Sequence, residues 1–260
     1  MYFWFDKMIN LSVNINKIAT LRNARGGNNP NLVQMAIDIQ SFGADGITVH
    51  PRPDERHIKY EDVRNLKPVV EKEFNIEGYP NPKFLKLIRE IKPDQVTLVP
   101  DGPESITSSY GWNTKSNLNF LTEIIIQLHD IGVRTSIFVD PDTEMVKYAS
   151  ETGCDRIELY TEPYTANFVK GNMLLIDKYV ECSLLANKLK MGVNAGHDLD
   201  IKNIEFFSSK MPFLDEVSIG HALICESLYM GIENVINIYI NNLIIRFNYL
   251  WKNYNDYNYK

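Results

Sequence analysis

The chain has 260 residues and a formal net charge of -6, with 44% hydrophobic and 23% charged residues. These values are typical of a globular protein with a sizeable core, and the negative charge argues against a general nucleic-acid binder. The three cysteines, Cys154, Cys182 and Cys225, are odd in number and far apart, which argues against a disulfide framework or a paired-cysteine zinc site. We therefore expect a protein of the reducing cytoplasm, with local positive groups wherever it binds an anion.

Neither end of the chain carries candidate chemistry. The N-terminal segment MYFWFDKMIN is apolar, but Asp6 and Lys7 interrupt it before a signal-peptide core or a membrane span could form. No other segment has the uninterrupted apolar length needed to cross a bilayer, so no membrane partner is expected. We expect one domain over residues 1–260, with residues 1–7 as an N-terminal extension or small packing element and residues 241–260 as a C-terminal helix or tail.

Eight short β-branched runs follow one another, separated by longer segments with apolar residues at helical spacing. The predicted strands are LSVNI at Leu11, DGITVH at Asp45, FNIEGY at Phe74, QVTLVP at Gln95, RTSIFVD at Arg134, DRIELYT at Asp155, KMGVNAG at Lys190 and EVSIGH at Glu216. The predicted helices are Leu32 to Phe42, Pro82 to Ile91, Leu118 to Ile131, Asp142 to Thr152, Asp177 to Leu189 and Ile201 to Ser209. This alternation implies parallel strands with right-handed crossovers, and eight such units predict an α/β protein with a closed (β/α)8 TIM barrel.

Polarity alternates within these strands. The polar positions are Ser12, Asn14 and Asn16, Thr48 and His50, Asn75 and Glu77, Arg156 and Glu158, and Asn194 and Ser218. Period-two geometry points this set into the barrel axis, with the reactive types at the carboxyl ends of the strands, where barrel enzymes carry out their chemistry. An open doubly wound sheet is the alternative, but it offers no reason for polar residues on all the inner faces.

His50 and Glu77 are the first candidates for acid/base chemistry. His50 ends the second predicted strand, and the ordinary pKa of histidine suits it to proton transfer near neutral pH. Glu77 ends the third strand, and a buried inward carboxylate is costly unless it is paired or catalytic. The structural alternatives are a core histidine and an ion pair with a neighbouring Lys or Arg.

Glu158, on the sixth predicted strand, lies across the barrel from these two residues. It either forms a salt bridge with Arg156, two residues earlier on the same face, or supplies a negative charge that stabilises a cationic intermediate. Both interpretations stay open on the sequence.

Candidate phosphate sites follow several strands. VNAGHDL and SIGHAL each place a Gly-His pair after one of the last two strands, the usual phosphate site of barrels, so His197 and His221 could contact phosphate or transfer protons. The predicted loop NKIATLRNARGG after the first strand carries Lys17, Arg22 and Arg25, and the second strand is followed by Arg52, Arg56 and His57. Arg25, before two glycines, would make a good phosphate fork. The mouth is therefore predicted to hold two anionic groups.

The sequence carries no HExxH metal motif, dinucleotide-binding GxGxxG, P-loop or GxSxG elbow. The residues alone therefore predict a cofactor-free acid/base enzyme with a barrel fold, acting on one or two phosphorylated small molecules.

Seven stretches, in order along the chain, resemble the pyridoxine 5'-phosphate synthase family of vitamin B6 biosynthesis. They are VNINKIATLRNARG, GADGITVHPRPDERHI, NIEGYP, TLVPDGPESITS, RIELYT, VNAGHDL and SIGHAL. The resemblance implies a (β/α)8 barrel with additional helices, assembled into a homo-octamer. It also implies condensation of 1-deoxy-D-xylulose 5-phosphate with 3-amino-2-oxopropyl phosphate to give pyridoxine 5'-phosphate, phosphate and water, with no metal or other cofactor.

The resemblance implies a role for each candidate residue. Asn14, Arg25, the Asp198 position, Gly220 and His221 would hold the aminoketone phosphate. Asn16, Lys17, Arg52, His57 and Thr107 would hold the deoxyxylulose phosphate. His50 and Glu77 would accept protons, His197 would donate one, and Glu158 would supply the stabilising charge.

Two positions depart from a common family pattern. Asn16 and Lys17 stand where an Asp-His pair is often found, which puts in question any role that needs the aspartate charge or the imidazole. Asp198 follows His197 where glycine is frequent, so a backbone contact to phosphate survives provided that the carboxylate turns away from the phosphate.

Two other functions stay open on the residues. One is an isomerase or aldolase acting on a single sugar phosphate, which predicts one phosphate site. The other is a non-catalytic barrel that binds a phosphorylated metabolite. Residues 100–117, rich in Gly, Ser and Thr after the fourth predicted strand, are a candidate lid over the site.

Overall fold

A closed barrel of parallel strands forms the centre of the molecule. The computed structural model describes residues 7–101 and 109–245. Its strands are β1 (Lys7–Met8), β2 (Asn10–Asn14), β3 (Gly46–Val49), β4 (Glu73–Gly78), β5 (Gln95–Leu98), β6 (Arg134–Val139), β7 (Arg156–Leu159), β8 (Gly192–Ala195), β9 (Leu214–Ile219) and β10 (Ile244–Ile245). Strands β2 to β9 each pair with the next, and β9 returns to β2. The eight predicted strands and the predicted barrel are therefore confirmed.

Eleven helices surround the barrel in the part of the chain that the structure describes. They are α1 (Asn16–Asn23), α2 (Leu32–Ser41), α3 (Tyr60–Leu66), α4 (Pro82–Ile91), α5 (Leu118–His129), α6 (Thr143–Glu151), α7 (Glu162–Val169), α8 (Ile176–Lys188), α9 (Ile204–Lys210), α10 (His221–Met230) and α11 (Ile232–Asn242). The spacing predicts six of them, α2, α4, α5, α6, α8 and α9. None of these described helices is both long enough and apolar enough to cross a membrane.

The prediction of a loop directly after the first barrel strand is wrong. The strand β2 ends at Asn14 and helix α1 begins at Asn16, so Asn16 is not an inward strand residue. The helix is short and buries only Ile18, Ala19 and Arg22, too few residues for its period to stand out in the sequence. The sequence does not predict helix α10 either, because HALICESLYM is apolar on nearly every side and so shows no amphipathic period.

Aspartates close the amino ends of alternate barrel strands. Three of them stand one residue before a strand and the fourth, Asp215, is the second residue of β9. Each accepts a hydrogen bond from a backbone N–H at the start of the preceding barrel strand. The pairs are Leu11 N to Asp45 Oδ2 at 3.1 Å, Phe74 N to Asp94 Oδ2 at 2.9 Å, Thr135 N to Asp155 Oδ2 at 2.7 Å and Val193 N to Asp215 Oδ2 at 2.9 Å. Backbone donors that the parallel ladder leaves unpaired at this end therefore gain an ionised acceptor.

The inner face of the barrel is polar and hydrogen-bonded, as the alternation predicts. Ser12 Oγ lies 2.7 Å from Thr48 Oγ1, which also accepts from Asn75 Nδ2 at 3.3 Å. Thr97 Oγ1 in turn donates to Asn75 Oδ1 at 3.2 Å. All four side chains are buried, so these bonds compensate for the loss of water across β2 to β5.

A charged layer lies toward the amino end of the barrel. Arg134 forms an ion pair with Glu73 and donates to Gln95 Oε1 at 2.9 Å. Arg156 donates to Asn194 Oδ1 at 3.0 Å and lies 3.5 Å from Glu216 Oε2. Arg156 therefore lies next to Glu216 instead of Glu158. The interpretation of Glu158 as the salt-bridge partner of Arg156 is wrong.

The described terminal residues pair with each other. β1 and β10 form an antiparallel pair, and Ile9 N donates to Leu243 O at 3.3 Å. The segment predicted as a C-terminal helix or tail thus begins with the end of α11 and the strand β10. Residues 1–6, 102–108 and 246–260 lie outside the described residues, and with them Thr107 and much of the candidate lid.

Glu216 is expected to make the protein less stable as the pH rises. Burial, together with the neighbouring Glu73 carboxyl and a hydrogen bond to it, raises the pKa of Glu216 well above its ordinary value. The folded protein therefore holds a proton that the unfolded chain releases above about pH 4.3, so stability declines from there toward the folded-state pKa. Gln keeps an uncharged donor at this position. We therefore expect the melting temperature of Glu216→Gln, relative to that of the native protein, to rise as the pH is raised from 5 to 8.

The control is Glu205→Gln, which changes an exposed glutamate on α9. Its melting temperature should follow that of the native protein across the pH range. If the melting temperatures of the native protein and Glu216→Gln changed with pH in parallel, Glu216 would be ionised in the folded state, contrary to this expectation.

Candidate active site

The four predicted acid/base side chains meet at the carboxyl end of the barrel. His50 directly follows β3, Glu77 lies near the end of β4, Glu158 lies in β7 and His197 follows β8. Their charges reach one another, since His197 affects the pKa values of both His50 and Glu77, and Glu77 affects that of Glu158. The structure therefore brings together residues that are separated by up to 147 positions in the chain.

His50, Glu77 and Asn14 form one side of this cluster. The Nδ1 atom of His50 lies 3.8 Å from Glu77 Oε2, an approach that is too long for a direct hydrogen bond. Asn14 Nδ2 donates to the same carboxylate oxygen at 3.4 Å. A substrate group that enters here can therefore contact an imidazole, a carboxyl and an amide together.

Asn16 fixes the backbone beneath His50. Its side-chain oxygen accepts the His50 backbone N–H at 2.9 Å, and its own backbone N–H donates to Asn14 Oδ1 at 3.1 Å. An amide oxygen supplies this acceptor as well as a carboxylate would, so the departure from aspartate at this position keeps the hydrogen bond and loses only the charge.

The environment separates the protonation states of the cluster. Burial, and then the charge of Arg52, lowers the pKa of His50 well below its ordinary value, so its imidazole is neutral at neutral pH. Burial raises the pKa of Glu77 to about 7, which makes both of its protonation states available there. For His197 burial acts to lower the pKa, but the hydrogen bond and charge of Asp198 outweigh it and raise the pKa.

The surroundings of Glu158 favour the protonated form of its carboxyl. Burial, and then repulsion by Glu77, raises the pKa of Glu158 well above its ordinary value, and its side chain is only 4% exposed. The neutral carboxyl is therefore favoured, and a positive charge between Glu158 and Glu77 would shift the balance toward the ionised form.

The loop after β3 holds Arg52 and His57 in different ways. Arg52 is buried and lies 2.5 Å from Oδ2 of Asp101, three residues after the end of β5. His57 Nδ1 accepts the Ile58 backbone N–H at 2.9 Å, which leaves the ring proton on Nε2. Burial and the charge of Arg52 lower the pKa of His57 to about 4. At neutral pH His57 therefore adds no positive charge to that of Arg52 and Arg56, and it offers a neutral N–H donor.

Arg22, one of the candidate phosphate-site residues, is buried and supports this loop. Its guanidinium holds Asp62 on α3 through two bonds of 2.6 and 2.8 Å. The adjacent Asn23 Nδ2 donates to the backbone oxygen of His57 at 2.8 Å. The end of α1 therefore fixes the position of His57.

Two glycines allow close backbone approach at the ends of β8 and β9. Gly196 has φ +155°, and a Cβ there would lie 2.1 Å from Ser218 O. A Cβ on Gly220 would lie 3.1 Å from Asn14 Cβ. Helix α10 starts at the next residue, His221, so its open N–H groups and positive dipole end lie beside Asn14 at the mouth.

The remaining predicted anion-binding side chains are more exposed. Lys17 and Arg25 are exposed, and the Arg25 side chain makes no hydrogen bond or ion pair within residues 7–101 and 109–245. His221 is exposed, with Nε2 3.6 Å from Cys225 Sγ on the same helix. Lys17 is near enough to His57 to lower the pKa of that imidazole, whereas no contact joins Arg25 to the cluster.

Three residues that the sequence does not single out complete the site. Asp101 pairs with Arg52, and the rings of Phe138 and Tyr160 lie 6.4 and 5.9 Å from the His197 ring. Asp101 comes just after the predicted strand QVTLVP, and Tyr160 lies near the end of the predicted strand DRIELYT, at the end of the barrel where chemistry is expected. Their position at the carboxyl ends of strands is the sequence signal that could have identified Asp101 and Tyr160 as site residues. Within the described residues, no group of three or more His, Cys, Asp or Glu side chains is arranged to hold a metal ion.

Comparison with known proteins decides the family. The model of the family described as "Pyridoxal phosphate biosynthesis protein PdxJ" matches residues 11–244. The chain belongs to this family. Membership confirms the predicted enzyme class, a pyridoxine 5'-phosphate synthase of vitamin B6 biosynthesis that acts on phosphorylated small molecules.

Curated relatives match along nearly the whole chain. A pyridoxine 5'-phosphate synthase of Bacteroides fragilis is 57% identical over 91% of this chain and 100% of its own length. One from Christiangramia forsetii is 58% identical over the same shares. Among solved structures, the 3-keto-L-gulonate-6-phosphate decarboxylase of Vibrio cholerae superposes with a TM-score of 0.59 at 10% identity, covering 91% of this chain and 99% of that one, which supports the barrel fold alone.

Replacing Arg22 is expected to destabilise the protein and loosen the His57 loop. In Arg22→Ala the largely buried Asp62 carboxylate loses its guanidinium partner, which costs about 3–5 kcal/mol of the free energy of unfolding. Urea denaturation measures this loss. The matched control is Arg64→Ala, which breaks a similar pair with Glu90 on the exposed surface and should cost far less. Equal losses in the two variants would contradict the supporting role of Arg22.

Proposed function

We propose that the protein condenses 1-deoxy-D-xylulose 5-phosphate with 3-amino-2-oxopropyl phosphate, giving pyridoxine 5'-phosphate, inorganic phosphate and water without a cofactor. The observation that carries the proposal is one cluster with a neutral imidazole, a carboxyl of pKa about 7 and an imidazole whose pKa is raised. The names of relatives at 57% and 58% identity support the same product.

The reaction needs several proton transfers in one place. The amine of the aminoketone must lose a proton to attack the sugar ketone, and the ketone oxygen must gain protons to leave as water. Later loss of phosphate and ring closure require protons to leave carbon next to the imine or carbonyl group. General acids and bases with pKa values near neutrality serve each of these steps.

His50, Glu77 and His197 take these tasks in our proposal. Neutral His50 is ready to accept a proton, and Glu77 can accept a proton and return it near pH 7. His197, held charged by its neighbours, donates to the departing oxygen. The three side chains lie at one end of the barrel, so a single bound intermediate can reach all of them.

Glu158 responds to charge on the intermediate. The proton on its carboxyl is held by burial and by the repulsion of Glu77. An iminium cation between the two carboxyls would lower both pKa values, and an ionised Glu158 would then stabilise the cation. The role implied by the resemblance therefore depends on substrate binding.

Phosphate groups at both ends orient the substrates. We assign the aminoketone phosphate to Asn14, Arg25, the Asp198 backbone, Gly220 and His221, and the deoxyxylulose phosphate to Asn16, Lys17, Arg52, His57 and Thr107. The start of α10 beside Asn14 supports the first assignment, and the neutral Nε2–H of His57 near Lys17 and Arg52 supports the second. Anchoring at two ends supplies much of the orientation that a two-substrate condensation requires.

The proposal extends to the assembly and its location. We propose a single-domain chain that forms a homo-octamer in the cytoplasm, as the resemblance implies. Leu228 and Tyr229 on α10 are 74% and 91% exposed, a degree of exposure that supports contact with another subunit. The unpaired, buried thiols of Cys154 and Cys182 support a reducing compartment.

Purified protein mixed with both substrates should form pyridoxine 5'-phosphate, followed by absorbance and by mass. An isomerase or aldolase of one sugar phosphate would instead turn over without the aminoketone. A folded protein that binds both compounds and yields no product would overturn the proposal in favour of the binding barrel.

Replacing the proposed bases should slow the chemistry. His50→Asn and Glu77→Gln each remove a proton acceptor while keeping a similar shape, so kcat should fall about 10²–10⁴-fold. Steady-state assays of the folded variants measure this fall. Near-native turnover in either variant would remove that residue from the catalytic set.

His57 should act on binding more than on chemistry. In His57→Ala the KM for the deoxyxylulose phosphate should rise, whereas kcat should change less than in His50→Asn. Steady-state titration of each substrate separates the two effects. Equal loss of both parameters in the two variants would contradict the division between these histidines.

A further inference from the structure

His197 and the residue that follows it form an ion pair at the mouth of the barrel. The Nδ1 atom of His197 lies 2.6 Å from Asp198 Oδ2, and each side chain is 31% exposed. A distance this short is typical of a charge-assisted hydrogen bond. The assignment of the Asp198 backbone to phosphate gives this carboxylate no task.

We propose that Asp198 is a positioning residue for His197, whose carboxylate fixes the proton on Nδ1 and keeps the imidazole charged so that Nε2–H is the donor to the substrate. The inference rests on the proposed function, in which His197 is the proton donor. It adds a task for the Asp198 side chain that phosphate binding by the backbone does not require.

The surrounding turn holds both partners in place. Leu199 N donates to Gly196 O at 2.6 Å, which closes a tight turn around His197 and Asp198. Asp198 N donates weakly to Thr161 Oγ1 at 3.4 Å, so the turn is also tied to the end of β7. The carboxylate can therefore reach the imidazole edge with little freedom to swing away.

Aromatic rings limit the imidazole from other directions. Phe138 on β6 and Tyr160 after β7 approach the His197 ring with centroid distances of 6.4 and 5.9 Å. Tyr160 is itself fixed, because its backbone oxygen accepts from Tyr179 Oη at 2.8 Å. Rotation of the imidazole is thus restricted by packing, and the hydrogen bond to Asp198 selects which nitrogen faces the carboxylate.

The charged groups around His197 come from four places in the barrel. Asp198 lies on its own loop, Glu77 on β4, Asp101 after β5 and His50 after β3. Glu77 and Asp101 favour the charged imidazole, but Asp198 is the group bonded to it and the larger influence. Removing the Asp198 charge should therefore make His197 lose its proton at a lower pH, while the other two carboxyls still act on it.

The test compares pH profiles of kcat for the native protein, Asp198→Asn and Asp198→Gly. Asn keeps an acceptor oxygen without the charge, and Gly removes both. The alkaline limb should move to lower pH by about one unit in Asp198→Asn, a tenfold change in the protonated fraction, and Asp198→Gly should also lose kcat on the plateau. The KM values should change less than kcat measured at pH 8.

The control is Asp200→Asn in the same loop. Asp200 Oδ1 accepts the backbone N–H groups of Lys202 and Asn203 at 2.9 and 3.1 Å and makes no contact with His197. Its pH profile should match that of the native protein. Unchanged profiles in both Asp198 variants would overturn the proposal, as would a rise in the KM for the aminoketone phosphate with unchanged kcat.

A second measurement does not depend on activity. An NMR titration of the His197 imidazole in the substrate-free protein should give a lower pKa in Asp198→Asn than in the native protein. An equal His197 pKa in the native protein and in Asp198→Asn would overturn the inference, even if the native protein makes the product. If the native protein makes no product, the proposed function fails, while the titration still decides whether Asp198 keeps His197 charged.

Discussion

Burial of ionisable groups inside a closed parallel barrel is the constraint on which the rest of this structure depends. The inner strand faces carry polar and charged side chains into a space that excludes most water, and each charge there must be paired, neutralised or put to use. The two ends of the barrel answer this demand differently. The difference separates the residues that stabilise the fold from those that carry the chemistry.

At the amino end of the barrel, arginine side chains lie next to the inward-facing carboxyl groups. Arg134 pairs with Glu73 and Arg156 with Glu216, while aspartates at the amino ends of alternate strands accept backbone N–H groups. At the carboxyl end, Glu77 has the Asn14 amide at 3.4 Å and the His50 imidazole at 3.8 Å. Burial shifts carboxyl pKa values at both ends, but at the carboxyl end the shifted groups lie beside two imidazoles at the mouth, and shifted pKa values are what acid/base chemistry at neutral pH requires.

The loops around the mouth are held by pairs of groups that are distant in sequence. Arg22 ties α1 to α3, and Asn23 beside it fixes the backbone of His57. Arg52 reaches across β4 to Asp101 after β5. These bonds connect the loop that carries Arg52 and His57 to neighbouring helices and strands of the barrel.

The sequence by itself determined the barrel, the inward polar faces and the end of the strands at which the reactive residues gather. These are local properties, because strand and helix periods and the position of a residue within a strand can be read without knowing its neighbours in space. The stretches that carry the family resemblance lie at these same strand ends. The sequence did not predict the short helix α1 or the uniformly apolar helix α10, because neither shows a clear period of apolar residues.

Only the tertiary structure decided which partner each charged group takes. Arg156 could have bonded Glu158 two residues away, yet it lies beside Glu216 sixty residues away. Glu158 is therefore left without that partner, and burial and the charge of Glu77 raise its pKa. The neutral state of His57 likewise depends on its burial and on Arg52 and Lys17. The raised pKa of His197 depends on the carboxyls of Asp198, Glu77 and Asp101. Protonation follows burial and distance, and these exist only after the strands have closed on one another.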